Sequence, residues 1–442
     1  MSSVIQSPNL GNGKQPFRIR PSNAPSDGVF AHQGNPVLTF EMPNSNVLLD
    51  PSTLRLVGKL RVKSGTFNPE EPLVDGVKPK VSIDPLLGVS TCFENVSWSS
   101  KMSRNVIEKV NNYPKLVNSI RPALSSTQNF QSDLSNEGLA TGNVDFFLEG
   151  TATSMIAGFG ADFSTQLYTG LTMASGNRLP LMKLGGLMLS IDLAPDSAVF
   201  YRTGEQSPQY ELFDLSLVGE YYIPSAEERG ALAGMTEGTL EMNTFNSLFS
   251  ILQSSTHNSV FNLGIKELIS CYFSFVPASY INNYSFNQYQ SMRITQNTSS
   301  NQIVKLNFLR NGTQMPFLFD LDVLDESNEA QLSRYYLMSL KKLNELTKTA
   351  IDANDNDIRL AIGSPEFLQT TANQLNQLNR ENYVLGVPYD MLGNFAGADF
   401  SNQPLTIDIR STLNDATPNA MYLYTLAKTM VAYSPSGIRV MS

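Results

Sequence analysis

The sequence contains few of the residues on which metal and nucleophilic chemistry depend. Among 442 residues there are 2 histidines and 2 cysteines. His32 and His257 both lie in polar segments, which excludes a histidine-rich metal cluster and a Cys/His zinc spacing. Cys92 and Cys271 lie in apolar segments that resemble strands, and this predicts two buried free thiols rather than a disulfide.

Charge is also scarce. Asp, Glu, Lys and Arg make up 16% of the chain, against about 25% in a typical globular protein. A surface of this kind favours coverage by neighbouring molecules, because an unpaired charge is costly to bury. The net charge is −9, and the 31 Lys and Arg residues form no run. We therefore predict no intrinsic affinity for nucleic acid, which requires clustered cations.

Sequence motifs of common enzyme classes are missing. The sequence has no phosphate-binding G-x-x-x-x-G-K-[ST] loop, no strand-linked G-x-G-x-x-G and no G-x-S-x-G elbow. The numbers of Ser, His and acidic residues alone do not exclude a Ser/His/acid triad. The run from Asp352 to Asp357 offers closely spaced oxygens, as Ca2+ sites do. It lacks the glycine and the closing glutamate of an EF-hand loop, which favours a solvated loop.

Four carboxylates lie close together at Asp320, Asp322, Asp325 and Glu326. Paired carboxylates serve glycosidases, but the solvated start of a helix after Asp325 is the better interpretation. We therefore predict that the chain is not an enzyme and has no catalytic, cofactor-binding or metal-binding residues.

Long apolar runs are absent as well. The N-terminal segment has no apolar core like that of a secretory signal, and no stretch of 18 apolar residues occurs. We predict a soluble chain made in the cytosol, without a transmembrane segment. Four Asn-x-Ser/Thr triplets are therefore expected to remain unglycosylated; they begin at Asn95, Asn283, Asn297 and Asn311.

What the sequence does contain is a recurring pair of strand-like segments. From Leu187 to Leu193, and again from Tyr210 to Tyr222, apolar residues occupy every second position, which is the period of a half-buried strand. A similar pair lies between Leu405 and Tyr433. The alternating segment from Leu54 to Val62 likewise has a counterpart from Leu268 to Val276. The chain is therefore predicted to contain two copies of one fold.

A helical pattern adds to this repeat. It runs from Arg104 to Ile120, with Ser103 as the N-cap, and has a counterpart from Glu326 to Leu346. Pro114 is expected to bend or break the first helix. The residues predicted to form its buried stripe are Ile107, Val110 and Val117.

These landmarks divide the chain into an N-terminal arm at 1–16, a first half at 17–223, a linker at 224–240 and a second half at 241–442. Within the first half, residues 121–178 are rich in Ser, Thr, Gly and Asn. Connections of this length are uncommon unless they are functional. The sequence leaves two interpretations open, a decorated surface loop with short strands or a projecting tower that meets a partner.

The order of the landmarks resembles a known family. The segments that carry the resemblance are LDPSTLRL, a helix with Ile107, Glu108 and Tyr113, the pair GGLMLSIDL and YELFDLSLVGEYYIP, then NTFNSLFSILQSS, FLRNGTQMPF and LTIDIRSTL. Together, over residues 17–442, they look like a double jelly-roll major capsid protein. Such proteins form the capsids of tailless icosahedral DNA viruses, including polinton-like viruses, virophages, adenoviruses with their hexons, and membrane-containing phages. The chain is short for this family, which implies small towers.

The resemblance implies a mostly β chain of two tandem eight-stranded antiparallel jelly-roll β-sandwiches, with a short helix in each. It also implies a homotrimer of pseudo-hexagonal outline that joins neighbouring capsomers in an icosahedral shell. Penton and minor capsid proteins would be further partners. The protein would be synthesised in the host cytoplasm and reside in the virion.

Two other functions stay open. One is a different β-sandwich virion component of penton or fibre type, although penton proteins of this lineage resemble a single jelly roll and the repeat therefore disfavours them. The other is a carbohydrate-binding or carbohydrate-cleaving jelly roll. Sugar platforms commonly use exposed aromatic rings, and the single tryptophan, Trp98, lies in an apolar segment.

Overall fold

The computed structural model describes residues 13–64, 80–84, 87–124, 145–147, 161–173, 178–201, 207–289, 303–315, 321–322, 385–389, 397–411 and 419–441. The predicted helix from Glu326 to Leu346 and the acidic run from Asp352 to Asp357 lie outside these ranges. Within them the chain is mostly β-strand, as predicted.

The first half contains twelve described strands. They are β1 (Lys14–Ile19), β2 (Val37–Glu41), β3 (Leu48–Ser64), β4 (Lys80–Ile83), β5 (Phe93–Ser100), β6 (Val106–Asn111), β7 (Asp145–Phe147), β8 (Ala161–Gln166), β9 (Leu179–Pro180), β10 (Leu187–Leu193), β11 (Phe200–Tyr201) and β12 (Pro208–Tyr222). The longest of them are β3 and β12. Its helices are α1 (Tyr113–Leu124), α2 (Gly170–Met173), α3 (Leu181–Leu184) and α4 (Asp196–Val199), with a 3-10 helix at Gly88–Cys92.

The linker carries one helix, α5 (Ala226–Gly234), and the second half follows it. Its described strands are β13 (Gly238–Leu252), β14 (Thr256–Phe261), β15 (Leu268–Pro277), β16 (Ile303–Arg310), β17 (Thr313–Gln314), β18 (Leu321–Asp322), β19 (Leu385–Pro388), β20 (Leu405–Ser411), β21 (Asn419–Ser434) and β22 (Gly437–Met441), with a 3-10 helix at Ala278–Tyr280.

The first half is a sandwich of two antiparallel layers. One layer has the order β1-β12-β3-β8, with β9 beside β3, and the other has the order β2-β10-β5-β6. Strand β10 shows why the sequence forms such layers, because Leu187, Leu189, Ile191 and Leu193 are buried while the residues between them are half-buried. The first strand lies beside the last, and the order of both layers is that of a jelly roll.

The second half repeats this order. Strands β13-β21-β15-β19 form one layer and β14-β20-β16-β17 the other, with β18 also beside β16. Position by position, β13 corresponds to β1, β21 to β12, β15 to β3 and β20 to β10. The strand pairs recognised in the sequence therefore occupy equivalent places, and the prediction of two tandem jelly rolls is confirmed.

One sheet runs through both halves. Strand β6 lies parallel to β13, with Lys109 opposite Asn246, and this contact joins β2-β10-β5-β6 to β13-β21-β15-β19. The apolar core of the first half also crosses the junction, since Phe245, Tyr272 and Tyr424 belong to the same buried cluster as Leu189. A second cluster fills the other sandwich. The two sandwiches are therefore joined both by a common sheet and by a shared part of the core.

Strand β21 serves both clusters at once. Tyr422 and Tyr424 belong to the first cluster, whereas Leu423 between them belongs to the second. Successive residues of a strand face opposite sides of its sheet. The residues from Ala420 to Tyr424 are therefore all apolar, because both faces of this part of β21 are covered.

A small third sheet has the order β11-β4-β7. Its strands come from three different connections of the first sandwich, namely β3 to β5, α1 to β8, and β10 to β12. The region at 121–178 thus contributes β7 to this sheet and β8 to the sandwich itself. The described residues of the region do not decide between the loop and the tower.

The helix predicted from Arg104 is wrong in its first part. Residues Val106–Asn111 form β6, and α1 begins only at Tyr113, so Ser103 is not an N-cap. Pairing with β5 decides this segment, because Ile107 and Val110 face the core from a strand. Asn112 has a positive φ of 51° and separates the two elements. Pro114 lies in the first helical turn, where proline is tolerated.

The predicted boundaries at both ends of the first half differ slightly from the strand limits. Strand β1 begins at Lys14, within the predicted arm, and β13 begins at Gly238, within the predicted linker. The linker itself forms α5, whose N-terminus is closed by a capping box between Ser225 and Glu228. None of the residues of α5 is buried.

Candidate functional site

The residues that could carry polar chemistry do not come together among the residues described. His32 Nδ1 lies 3.0 Å from the carbonyl oxygen of Leu193, and His257 Nε2 lies 3.4 Å from Ser250 Oγ in the other half. No group of three or more His, Cys, Asp or Glu side chains in the described ranges could hold a metal ion. Of the four acidic residues at 320–326, only the backbone of Asp322 is described.

Both cysteines are buried and unbridged, as predicted. Burial raises the pKa of the Cys92 thiol, and it raises that of Cys271 as well. A thiol of this kind is a weak nucleophile, because the thiolate is the reactive form. The cysteines therefore act as small apolar side chains of the core.

Trp98 is fully buried in β5. Its Nε1–H donates a hydrogen bond to Thr169 Oγ1 over 3.1 Å. The ring therefore fills the first core and offers no exposed face on which a sugar could stack.

The most unusual polar group lies at the junction between the sandwiches. Glu108 is only 2% exposed. Its Oε1 accepts hydrogen bonds from the backbone N–H groups of Gly170 (2.7 Å) and Phe245 (2.8 Å), and its Oε2 accepts one from Leu171 (3.0 Å). One side chain of β6 thus holds the start of α2 and strand β13 of the second half.

Burial of Glu108 raises its pKa to about 7, although the three backbone hydrogen bonds act in the opposite direction. The surroundings leave no room for change at Gly170, where a Cβ atom would overlap the carbonyl oxygen of Asn243. The junction is therefore close-packed around the carboxyl group of Glu108. This group holds the two sandwiches together and is not accessible to a substrate.

A buried lysine lies near the same junction. Lys115 of α1 is 2% exposed and donates a hydrogen bond to the carbonyl of Gln288 in the second half. Its ammonium lies 5.4 Å from the ring centroid of Tyr289 and 4.8 Å from that of Tyr422. Burial lowers its pKa to about 7, against the influence of the carboxylates of Glu94 and Asp84.

Sequence reasoning missed both of these groups. In the predicted helix, Glu108 did not belong to the buried stripe. In strand β6 it is buried instead. The sequence signal for this site was a single carboxylate, Glu108, in the β-branched segment VIEKV. Its burial could be recognised only from the pairing of β6 with β5. Further polar contacts cross the junction, including Tyr424 Oη to the carbonyl oxygen of Asn112 over 2.7 Å and the Asn111 N–H to Ser247 Oγ over 2.9 Å.

A groove of about 870 Å³ lies on the outer side of the layer β1-β12-β3-β8. A register shift between Phe213 and Ser216 of β12 forms part of its wall, and Asp214 in this bulge has a positive φ of 53°. Leu215 packs over Gly58, where a Cβ atom would come within 2.5 Å of it. We call this feature the β12 groove.

Charges of both signs line the β12 groove. Arg18, Arg20, Lys59 and Arg61 face Asp27, Asp162 and Asp214. Lys59 Nζ lies 3.9 Å from a carboxylate oxygen of Asp162 and 4.0 Å from one of Asp214. Arg18 donates to Ser216 Oγ over 2.9 Å. The mixture gives the groove no strong net charge, which favours a protein surface as its partner over a polyanion.

Apolar side chains are exposed elsewhere on the second half. Phe249 is 47% and Ile251 43% exposed at the end of β13, and Val260 of β14 is 58% exposed. Exposed apolar residues next to low overall charge are typical of surfaces that meet other proteins. Among the helices of the described chain, none has the length and hydropathy needed to cross a membrane.

No protein-family model and no curated protein sequence matches this chain. Solved structures do match its fold. A chain of the quasi-atomic PBCV-1 virus capsid superposes with a TM-score of 0.59 at 10% identity, covering 99% of this chain and 98% of that chain. A chain of the Sputnik virophage gives 0.59 at 11% identity, with coverages of 99% and 92%. The Faustovirus major capsid protein gives 0.52 at 8% identity, with coverages of 97% and 92%.

Proposed function

We propose that this chain, which shares its double jelly-roll fold over nearly its whole length with chains of virus capsids, is itself a major capsid protein. It would form trimers of pseudo-hexagonal outline that assemble into an icosahedral shell. The observation that carries the proposal is the tandem repeat, in which two jelly rolls of one strand order are joined in a single chain.

The repeat supports a trimer on physical grounds. Three copies of a chain with two similar modules present six similar modules around an axis, and cyclic symmetry closes such a ring without open ends. The contact between β6 and β13 and the hydrogen bonds of Glu108 fix the two modules of each chain relative to one another. The low charge of the sequence and the exposed Phe249, Ile251 and Val260 suit surfaces that become covered.

The proposal has further parts. The chain acts without a cofactor and without catalysis, and it has no intrinsic affinity for nucleic acid. It meets penton and minor capsid proteins in the virion after synthesis in the host cytoplasm. Its domains follow the predicted order of arm, first jelly roll, linker and second jelly roll, with the first jelly roll beginning at Lys14 and the second at Gly238.

Native mass spectrometry and negative-stain microscopy of the purified chain test this function. We expect a mass three times that of the 48.7 kDa chain and particles of hexagonal outline with three-fold averages. A stable monomer over a wide range of concentration would overturn the proposal. A five-fold assembly would favour the penton alternative, and a monomer that binds glycans would favour the carbohydrate-binding one.

A further inference from the structure

Strands β2 and β14 hold corresponding places in the two halves. Strand β2 pairs with β10 at the end of its layer, and β14 pairs with β20 at the end of its own. Along the second edge of each, the described part of the chain supplies no further strand. Such an edge presents unpaired N–H and C=O groups, which proteins usually cover or protect with charges.

In the first half, a segment of the same chain covers this edge. The Ser22 N–H donates to the carbonyl oxygen of Thr39 over 2.7 Å. The side chain of Asn23 accepts from the N–H of Thr39 over 2.9 Å and donates to the carbonyl oxygen of Val37 over 2.8 Å. All three bonds use backbone groups of β2 and none of its side chains. The same contact therefore fits any strand that holds this place in the fold.

In the second half, the corresponding edge is uncovered. The connection from β1 to β2 spans residues 20–36, whereas that from β13 to β14 spans only residues 253–255 and is too short to return along the edge. Strand β14 has the sequence THNSVF, without Asp, Glu, Lys or Arg, and Val260 is 58% exposed. An edge with neither cover nor charge is suited to pairing with another chain.

The register shows which groups of β14 are open. Asn258 lies opposite Asp408, the fourth residue of β20, and Thr39 lies opposite Ser190, the fourth residue of β10. Asn258 therefore corresponds to Thr39, so its N–H and C=O point away from β20. The Asn258 side chain donates to Asp408 over 2.6 Å, but its backbone groups have no partner among the described residues.

Thr256 corresponds to Val37 in the same way. Its carbonyl oxygen accepts a hydrogen bond from Ser254 Oγ, two residues earlier in the chain. A hydroxyl group held in a short turn is easily replaced. The edge from Thr256 to Asn258 can therefore form the same three hydrogen bonds that β2 forms in the first half.

We infer that the open edge of β14 receives an extended, uncharged segment of another protein, bound as Ser22 and Asn23 are bound at β2. A backbone N–H of this segment donates to the carbonyl oxygen of Asn258, and an amide side chain accepts from the Asn258 N–H. Main-chain hydrogen bonds supply the affinity in this mode of binding. The segment is uncharged because β14 offers no charge to pair with one. The inference goes beyond the proposed function and does not depend on a trimer.

Disulfide tethering tests this contact. Ser255→Cys places an exposed thiol directly before β14, while the native thiols of Cys92 and Cys271 are buried. The probe is the peptide acetyl-PSNAPGGC-amide, which carries the sequence of residues 21–25 and runs antiparallel to β14 when its C-terminal cysteine is linked. In equilibrium with a small thiol, intact mass gives the fraction of the chain that carries the peptide. We expect this peptide to be favoured about tenfold over acetyl-PAAAPGGC-amide, which lacks the side chains that form hydrogen bonds.

A pair of variants separates strand pairing from mere attachment nearby. In the Ser255→Cys chain, Asn258→Pro removes the N–H that the segment needs, whereas Asn258→Ala keeps it. Both variants should retain the fold in circular dichroism, because an N–H that points outward makes proline acceptable on an edge strand. The preference for the first peptide should disappear with proline and persist with alanine.

Equal tethering of the two peptides, or an introduced thiol that links only to that of a second copy, would overturn the inference and leave the proposed function intact. A wild-type monomer would overturn the proposed function alone, because tethering requires only a single chain.

Discussion

Replacing Glu108 by glutamine should change how the stability of the chain depends on pH. The carboxyl of Glu108 has a pKa of about 7 in the folded chain because it is buried, whereas the ordinary pKa of a glutamate carboxyl is 4.5. Between these values the folded state binds more protons than the unfolded state, so the free energy of unfolding falls as pH rises from about 4.5 to about 7. A shift of this size corresponds to about 3 kcal/mol, a large part of the ~5 to 15 kcal/mol that stabilises a typical domain.

The glutamine variant lacks this titration. Its amide oxygen can still accept from Gly170 and Phe245, but its NH2 group faces the N–H of Leu171 and leaves that donor unpaired, at a cost of about 1–3 kcal/mol at every pH. The free energy of unfolding of the wild type, relative to that of Glu108→Gln, should therefore fall by about 2.4 kcal/mol between pH 5 and pH 7.5.

The single tryptophan makes the measurement direct. Trp98 is buried in the first core, and its fluorescence during urea denaturation reports the unfolding of that sandwich. The carboxyls of Glu94 and Asp196 also have raised pKa values through burial, but they are the same in both proteins and cancel in the difference. Glu227→Gln, at an exposed position of α5, is the matched control. A difference that stays constant with pH would refute the assignment of this titration to Glu108.

Three further predictions concern packing and partners. Gly170→Ala should lower the unfolding temperature and weaken the contact between the sandwiches, because the new Cβ overlaps the carbonyl oxygen of Asn243 and overpacking costs about 1–3 kcal/mol. An unchanged unfolding temperature in differential scanning calorimetry would contradict this. Leu189→Asp, which places an unpaired carboxylate in the first core, should abolish the soluble trimer in size-exclusion chromatography, whereas Met182→Asp at a position that is 39% exposed should not. The purified chain should show no binding to a fluorescent DNA oligonucleotide at physiological salt, and micromolar affinity with a steep salt dependence would show the charge argument to be wrong.

The strands were predictable because their evidence is local. In β10 and β20, alternation of apolar residues with a period of two specifies a half-buried strand without knowledge of its neighbours. The repeat of two such strands in one order then predicted the tandem fold. The same local reasoning was wrong at Val106–Asn111, where pairing with β5 overrode a helical pattern that continues into α1.

The junction could not be predicted from the sequence. It depends on one parallel contact between Lys109 and Asn246, which are far apart in the chain, and on a carboxylate whose three donors are backbone groups. Every residue except proline has a backbone N–H group, so the sequence does not show which of these groups donate to a carboxylate. The site is reflected in residue identity only at Glu108 itself and at Gly170, where a larger residue would not fit.

The core that crosses the junction also has a consequence for biosynthesis. Tyr422, Tyr424, Leu426 and Val431 belong to the cluster that fills the first sandwich, yet they follow Tyr222, the end of the last strand of that sandwich, by about 200 residues. The first sandwich therefore remains incomplete until β21 has been synthesised, and the apolar face of its growing core stays accessible to chaperones until then. A chain that is released before β21 has two unfinished sandwiches, so neither of them can mature.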